Sequence, residues 1–301
     1  MARAIATLAA TLHARMRRER VRFVFLVGYY DVAGYAYVLA AARAGALSID
    51  VQHGVTGDQH MGYARWQRPV QAGLKLLPGC FWTWTDADAQ TVRGWADRHT
   101  PRRHAVVGGH PFLDLWRRGE MRLTPATTEA LDALLVRSPE RPRVLVTLQP
   151  NAVSDEMLAP LLAAWQRRPQ ASWWLRLHPL AGADRPRIEA LLCAHGVAHW
   201  DIDAASALPL PALLTHTDVH ATHSSSAVIE AELMGVPSIV WSAYGAELVP
   251  DALARGSVSL ALDGETFASG LRSLAARPAG AAAASPNTTV DAVRAVLELA
   301  T

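Results

Sequence analysis

The chain reads as an α/β protein of two lobes, each built on a parallel sheet. Three observations predict this. Short runs rich in β-branched and aromatic residues alternate with helical segments along nearly the whole length. The alternation breaks once, at the turn-rich junction Ser138-Pro139-Glu140-Arg141-Pro142, and then restarts. The 301 residues, 50% of them hydrophobic, suit two lobes of about 150 residues each. The expected division is 1–138 and 139–301.

Composition narrows the function classes. The net charge is only +2, and of the 29 basic residues all but Lys75 are arginine. They are spread along the chain, so no nucleic-acid partner is expected. With so much alanine, the arginine bias fits a GC-rich bacterial genome. Cys80 and Cys193 stand alone, without the spacing of a disulfide framework or a zinc site. No run of about 18 apolar residues could span a membrane, and the N-terminus lacks a signal-peptide pattern. A cytoplasmic protein is the expectation.

In the first half, Ala2–Arg20 is an alanine-rich helix ending in Arg15, Arg17, Arg18 and Arg20. Peripheral contact with the inner membrane surface is one reading of that cluster; a solvated face is the commoner one. Arg22–Val27 is a strand with Gly28-Tyr29-Tyr30-Asp31 as its C-terminal loop. Val32–Ala44 is a helix closed by Gly45, and Leu47–Val51 is the next strand. This βαβ unit implies a parallel sheet.

The loop that follows is the most polar of the first half. Asp50–Tyr63 holds His53 and His60, Asp50 and Asp58, and glycines 54, 57 and 62. It follows a strand's C-terminal end, where open α/β sheets keep their ligands. His53 can act as a general base near neutral pH, oriented by Asp50 or Asp58. Gln52, Gly54, His60 and Tyr63 share that loop with it. His53 and His60 are too irregularly placed for a helical metal pair, so no metal is expected. The plainer reading is a glycine-rich connection with incidental polar residues. Strands at Cys80–Trp84 and His104–Val107 flank a helix at Asp86–His99, and short helical segments follow at Phe112–Arg118 and Leu123–Ser138.

The second half is organised around Asp218–Trp241, which reads as strand, sharp loop, helix and strand. His223, Ser224, Ser225 and Ser226 form the loop, Ala227–Met234 the helix, and Gly235 with Pro237 its stop. A helix start carrying hydroxyl and imidazole donors suits a phosphate group. Glu230, about one turn in, can accept from two vicinal ribose hydroxyls. The plainer reading has one serine capping the helix while the others are bystanders. Upstream, the strand Arg143–Leu148, the Ser154-capped helix Asp155–Arg167 and the strand Trp173–Leu177 lead to Arg176-Leu177-His178-Pro179. If the two strands share a sheet, both loops open on one edge, and His178 can grip the same phosphate. Helices are expected at Pro186–Ala194, Pro209–Thr215 and Thr266–Ala275, and strands at Val197–Trp200 and Val258–Leu262. An Ala/Pro/Gly linker, 276–287, precedes a last helix, Thr289–Leu299, that can pack back across the junction. The ten tryptophans read as core rather than as carbohydrate platforms.

Arg-x-His-Pro, His-Ser-Ser-Ser and Glu230-Ala231-x-x-x-Gly235-x-Pro237 together resemble the donor domain of GT-B glycosyltransferases. More narrowly they resemble bacterial capsule and lipopolysaccharide transferases that use CMP-linked Kdo or sialic acid. The Gln52-His53-Gly54 loop with His60-x-Gly62-Tyr63, and Val107-Gly108-Gly109-His110-Pro111, are similar to first-domain segments of such enzymes. The resemblance covers most of residues 21–262. It implies two Rossmann-like lobes with an interlobe cleft. It implies a nucleotide-sugar donor whose phosphate is held by His178, Pro179, Ser224 and Ser225, and a ribose contact at Glu230. Arg176, His223 and Ser226 complete the expected donor site. The acceptor would be a surface glycan or glycolipid, deprotonated by His53, with no cofactor and no metal. The chain departs from polysialyltransferases, which carry an acidic pair before the glycine where this chain has Gln52-His53-Gly54. It is also short for GT-B, as if an initial strand–helix unit were missing. Three alternatives stay open: a sugar-nucleotide epimerase, a CDP-polyol polymerase, and a non-catalytic GT-B binding module. Ser225-Ser226 in place of paired glycines speaks against the first, and the dense polar loop at His53 against the last.

Overall fold

The alternation of strands and helices resolves, in a computed structural model, into two parallel sheets on two compact units. The structure describes residues 1–56, 60, 62–63, 76–96, 103–150, 154–168, 170–276 and 289–299. Asp58, Asn151 and most of the expected Ala/Pro/Gly linker lie outside the described residues. The first unit comprises Met1–Asp114 and Ser285–Thr301, the second Leu115–Ala284.

In chain order the first stretch is α1 (Ala2–Arg18), β1 (Phe23–Leu26), α2 (Val32–Ala44), β2 (Leu47–Val51), β3 (Cys80–Thr83), α3 (Asp86–Ala96), β4 (His104–Val107) and α4 (Pro111–Arg117). Its four strands pair in the order β1-β2-β3-β4, all parallel. Asp31 caps α2 by accepting from the Gly34 N–H at 2.6 Å, and Gly45 ends it at φ +75°, as a left-handed helix stop requires. Ile5, Ala9 and Met16 of α1 pack on Ala36, Ala40 and Ala41 of α2.

The chain continues as α5 (Pro125–Arg137), β5 (Arg143–Leu148), α6 (Asp155–Arg167), β6 (Ser172–Leu177), α7 (Arg185–Ala194), β7 (His199–Asp201), α8 (Asp203–Ala207), α9 (Leu210–Leu214), β8 (Val219–Thr222), α10 (Ala227–Leu233), β9 (Ser238–Val240), α11 (Ala243–Glu247), α12 (Pro250–Arg255), β10 (Val258–Leu260), α13 (Gly264–Ala275) and α14 (Thr289–Glu298). The second sheet runs β10-β9-β8-β5-β6-β7, again parallel. Alternate residues of its strands serve two cores. Val144, Trp173 and Leu175 pack with Trp165, Leu158 and Phe267 on one face. Leu145 and Trp174 pack with Leu131, Leu134 and Leu213 on the other. Trp165, Trp173 and Trp174 are fully buried, and Trp82, Trp84 and Trp241 are buried as well, so these six tryptophans are core.

The compact units divide at residues 114 and 115, not at residue 138. The reason is the apolar face of α5. Leu131 and Leu134 lie against Leu145 and Trp174, and Trp174 Nε1 donates to Ser138 Oγ at 2.9 Å just past the helix end. The proline-rich junction is therefore a turn within the second unit. The C-terminal helix returns to the first unit, where Ala292 and Val296 of α14 pack on Ile49, Cys80 and Trp82. The short helices α8, α11 and α12 carry five or six residues each, too few for a readable 3.6-residue period.

Candidate functional site

On the second unit, the parallel order β8-β5-β6 brings the loops after β8 and β6 to one edge, with a single strand between them. Two inter-strand spacings put their strand ends about 10 Å apart. Thr222, the last residue of β8, organises the loop. Its Oγ1 donates to the Thr147 carbonyl at 2.9 Å and accepts the Ser225 N–H at 3.0 Å. Ser225 Oγ accepts the Ala227 N–H at 3.3 Å, and His223 Nδ1 lies 3.1 Å from Ser224 Oγ. Ser226 is the residue before α10 and makes no side-chain cap. The His223 carbonyl accepts from Ser242 Oγ at 2.6 Å. His223 to Ser226 are all half-buried, so the loop is braced yet reachable.

Gly245 backs directly onto that brace. A Cβ there would lie 2.1 Å from the His223 carbonyl oxygen and 2.5 Å from Val240 Cγ1. Gly245→Ala should therefore shift the His223 loop and destabilise the second unit by about 1–3 kcal/mol without removing any loop side chain. Thermal denaturation checks this; a wild-type midpoint would mean the loop tolerates the methyl group.

His178 follows β6. Its Nδ1 accepts the Leu180 N–H at 3.1 Å, which leaves Nε2 as the ring's donor, and Pro179 is exposed in the turn. Arg176 is placed differently from the sequence expectation. Its Nη1 donates to the Ala205 carbonyl at 2.9 Å and the Leu208 carbonyl at 2.6 Å, tying down the end of α8. That donor is committed to backbone, not held ready for a phosphate. Glu230 on α10 is pushed up to about 7 by burial, with the Arg176 charge opposing the shift. Beneath this face runs a buried polar chain: His220 Nε2 is 2.9 Å from Thr147 Oγ1 and His220 Nδ1 is 3.0 Å from Ser238 Oγ. Full burial drives the His220 imidazolium down to about 3, so His220 is a neutral structural group that locks β8 to its neighbours.

On the first unit, the loops after β1 and β2 meet at the C-terminal edge of the sheet. His53 Nε2 lies 3.0 Å from the Tyr30 hydroxyl. The His60 ring lies 4.7 Å from the Tyr63 ring and 5.4 Å from the Tyr30 ring, centroid to centroid. His60 Nδ1 accepts the Gly62 N–H at 3.1 Å, and the Gly62 carbonyl accepts from Tyr29 OH. Burial lowers the pKa of His53 and of His60, and the nearby His53 charge lowers that of His60 further. Both rings are therefore neutral at pH 7.

Two expectations are corrected here. Asp50 does not orient His53. It is buried, and its Oδ2 accepts from Tyr63 OH at 2.7 Å. Asp50 is still within β2 and buried in the sheet's packing, whereas His53 has already left the strand. Gln52 is not a ligand-facing residue either. It is buried, donating from Nε2 to the Gly54 carbonyl at 2.8 Å and accepting the Trp84 N–H at 2.6 Å. It clamps the loop after β2 to the loop after β3. Tyr30 is the partner that sequence reasoning overlooked. The available signal was the one that drew attention to His53: a polar aromatic at the C-terminal end of a parallel strand.

Asp50 also predicts a pH dependence. Burial raises its pKa from 3.8 to about 6, partly offset by the Tyr63 hydroxyl and by the Tyr29 and Gly28 backbone N–H groups. Between pH 4 and 6 the folded state thus keeps a proton that the unfolded chain has released. Stability falls as pH rises through that window, by up to about 3 kcal/mol. Asp50→Asn should lose this slope, so that the variant gains on the wild type from pH 4 to 6 and holds a constant lead above it. Denaturant titrations at pH 4, 5, 6 and 7 decide; a pH-independent difference between the two proteins would show that ionising Asp50 costs nothing in the fold.

Three solved structures similar to this chain can now be set beside it. UDP-GlcNAc 2-epimerase from Neisseria meningitidis, bound to UDP-GlcNAc, superposes with a TM-score of 0.68 at 16% identity, with 98% of this chain matched to 80% of that one. The UDP-GlcNAc 2-epimerase of Methanocaldococcus jannaschii gives 0.68 at 13% identity, with coverages of 98% and 82%. A UGT transferase from Siraitia grosvenorii in complex with UDP gives 0.62 at 12% identity, with coverages of 98% and 87%. The fold is GT-B-like: two α/β lobes on parallel sheets. At such identities the likeness establishes fold alone. No family profile and no curated protein matches the chain in sequence. Among the described residues, no helix is long and apolar enough to cross a membrane, and no group of three or more His, Cys, Asp or Glu side chains is set to hold a metal ion.

Proposed function

We propose that this protein is a glycosyltransferase acting on a nucleotide-activated sugar. The donor's phosphate binds on the second unit at His178 and the Ser224–Ser226 loop. The first unit, taken by itself, offers His53 as the base for an acceptor hydroxyl. The observation that carries this reading is the braced loop after β8, with Ser225 and His223 held by Thr222 and Ser242 on the same sheet edge as His178. Backbone N–H groups, hydroxyls and the His178 imidazole there stabilise the charge that gathers on a leaving phosphate. Glu230, protonated in part at neutral pH, can both donate to and accept from a ribose hydroxyl. Arg176 acts one step back, holding α8 in place and facing Glu230.

Two donor chemistries compete for this site. The Arg-x-His-Pro and His-Ser-Ser-Ser motifs favour a CMP-linked sugar of Kdo or sialic acid type, moved to a surface glycan or glycolipid. The fold neighbours, crystallised with UDP or UDP-GlcNAc, favour a UDP-linked one. Calorimetric titration with CMP, CDP, UDP and GDP, without metal and then with Mg²⁺, separates them. Tight binding of CMP alone supports the CMP-sugar reading, and preference for UDP moves the donor to the diphosphate class. No binding by any of the four overturns the proposal.

The extent of the likeness to UDP-GlcNAc 2-epimerases, 98% of this chain, favours a second reading, epimerisation of a UDP-sugar at C2. Incubation with UDP-GlcNAc in the absence of acceptor tests it directly. Appearance of the C2 epimer supports that reading, and an unchanged sugar excludes it.

A further inference from the structure

Tyr30 sits in the loop after β1, 23 residues before His53 in sequence, yet the two side chains meet at hydrogen-bond distance. The two ring nitrogens of His53 have different surroundings. Nε2 lies against the Tyr30 hydroxyl, and the Val51 backbone favours the protonated ring while burial opposes it. In the tautomer with its proton on Nδ1, Nε2 carries the lone pair and accepts from the Tyr30 hydroxyl. The ring's place is set from below, since a Cβ on Gly28 would lie 3.6 Å from His53 Cε1. The Tyr30 hydroxyl thus occupies the basic nitrogen. Both side chains are exposed, Tyr30 at 37%, so an incoming hydroxyl can reach the phenol oxygen.

We propose that Tyr30 is a catalytic residue that relays the proton between the acceptor hydroxyl and His53 Nε2. This rests on the glycosyltransferase reading above. In the step, the acceptor O–H proton passes to the Tyr30 oxygen while the phenol proton passes to His53 Nε2. The acceptor oxygen forms its bond to the sugar carbon, and the bond from that carbon to the nucleotide phosphate breaks, its electron pair leaving with the phosphate. Tyr30 ends as it began, His53 ends as imidazolium, and the nucleotide leaves as an anion.

The surroundings suit a relay better than a resting phenolate. Burial raises the pKa of Tyr30, and the Asp50 and Asp31 charges raise it further. Tyr30 therefore hands its proton on in concert instead of holding a negative charge. The described groups around the pair are Asp31 at the head of α2, Asp50 at the end of β2, and Tyr29, Tyr63 and His60, whose rings lie 5.4–5.9 Å from that of Tyr30. None of them hydrogen-bonds to His53 among the described residues, so Tyr30 is its side-chain partner.

The test compares wild type, Tyr30→Phe, and the protein carrying 3-fluorotyrosine at position 30. Two readouts are taken: transfer kinetics against pH, with the donor identified by calorimetry, and NMR titration of the His53 imidazole. Tyr30→Phe should lower kcat about 10- to 100-fold, at the low end of a general acid–base contribution, with donor KM unchanged. It should raise the His53 pKa, because the neutral ring loses its donor. 3-Fluorotyrosine keeps the hydroxyl and should restore most of the rate. Wild-type kcat in Tyr30→Phe, or a His53 titration that does not move, overturns the relay while leaving the transferase reading in place. Absence of transfer by the wild-type protein with every donor overturns both.

Discussion

On the proposed glycosyltransferase reading, His53→Ala should cut the rate of sugar transfer about 10²- to 10⁴-fold, the range of a positioned general base, while nucleotide affinity stays at the wild-type value. The separation follows from where the residues are. His53 lies in the loop after β2 of the first unit, whereas His178 and the His223–Ser226 loop lie on the second. Among the described residues, the loop after β8 is braced within the second unit by Thr222, Thr147 and Ser242, with Gly245 packed against it. Because burial lowers the pKa of His53, the ring stays unprotonated further into acid than a free histidine. The acid limb of the rate profile should therefore fall below pH 6.5, and the alanine variant should lack that limb. Transfer that survives in His53→Ala, or a loss of nucleotide affinity equal to the loss of rate, would remove the assignment. The first outcome would mean that another group takes the proton, the second that His53 helps to bind the donor.

Trp174→Ala should destabilise the second unit by about 3–5 kcal/mol, the usual range for deleting a buried tryptophan. The indole is fully buried and sits among Leu131, Leu134, Leu145 and Leu213. Its Nε1 donates to Ser138 Oγ, and the Arg143 guanidinium lies 6.0 Å from its ring. Truncation would open a cavity under α5 and release the turn at Ser138 together. The unfolding transition of the second unit should move to lower denaturant, and hydrogen exchange should rise first in α5. Trp174→Phe, which keeps most of the volume and loses the hydrogen bond, should recover more than half of the deficit. An alanine variant within about 1 kcal/mol of wild type would mean that the core closes over the gap, as cores do only where their walls can collapse.

The two effects differ in how much of their basis is legible in the chain as written. Runs such as Val144-Leu145-Val146 and Trp173-Trp174-Leu175 declare buried parallel strands by their unbroken apolar character. Asp31, Ser154, Gly45 and Gly235 mark helix ends by local chemistry, and each sits where that chemistry expects, with Gly45 and Gly235 at φ +75° and +76°. The order of strands and helices also places His53, His178 and the serine loop at the C-terminal ends of strands, because a parallel sheet leaves few other arrangements. These features depend on residues within a few positions of one another, so sequence by itself determined them.

Partners were a different matter. Asp50 stands three residues from His53, yet bonds to Tyr63; His53 bonds to Tyr30, 23 residues away. Arg176 reads as a phosphate ligand beside His178 but bonds to carbonyls 29 and 32 residues on. Gln52, in the most polar loop of the first half, is a buried clamp whose far end holds Trp84. The unit boundary shifted for the same reason, since Ser138 and α5 answer to Trp174, 36 residues later. In each case the deciding fact is the direction in which a side chain leaves its strand and which loop another strand brings to meet it. That direction is set by sheet register and burial, long-range quantities that no local stretch of residues contains, and only the tertiary structure decided them.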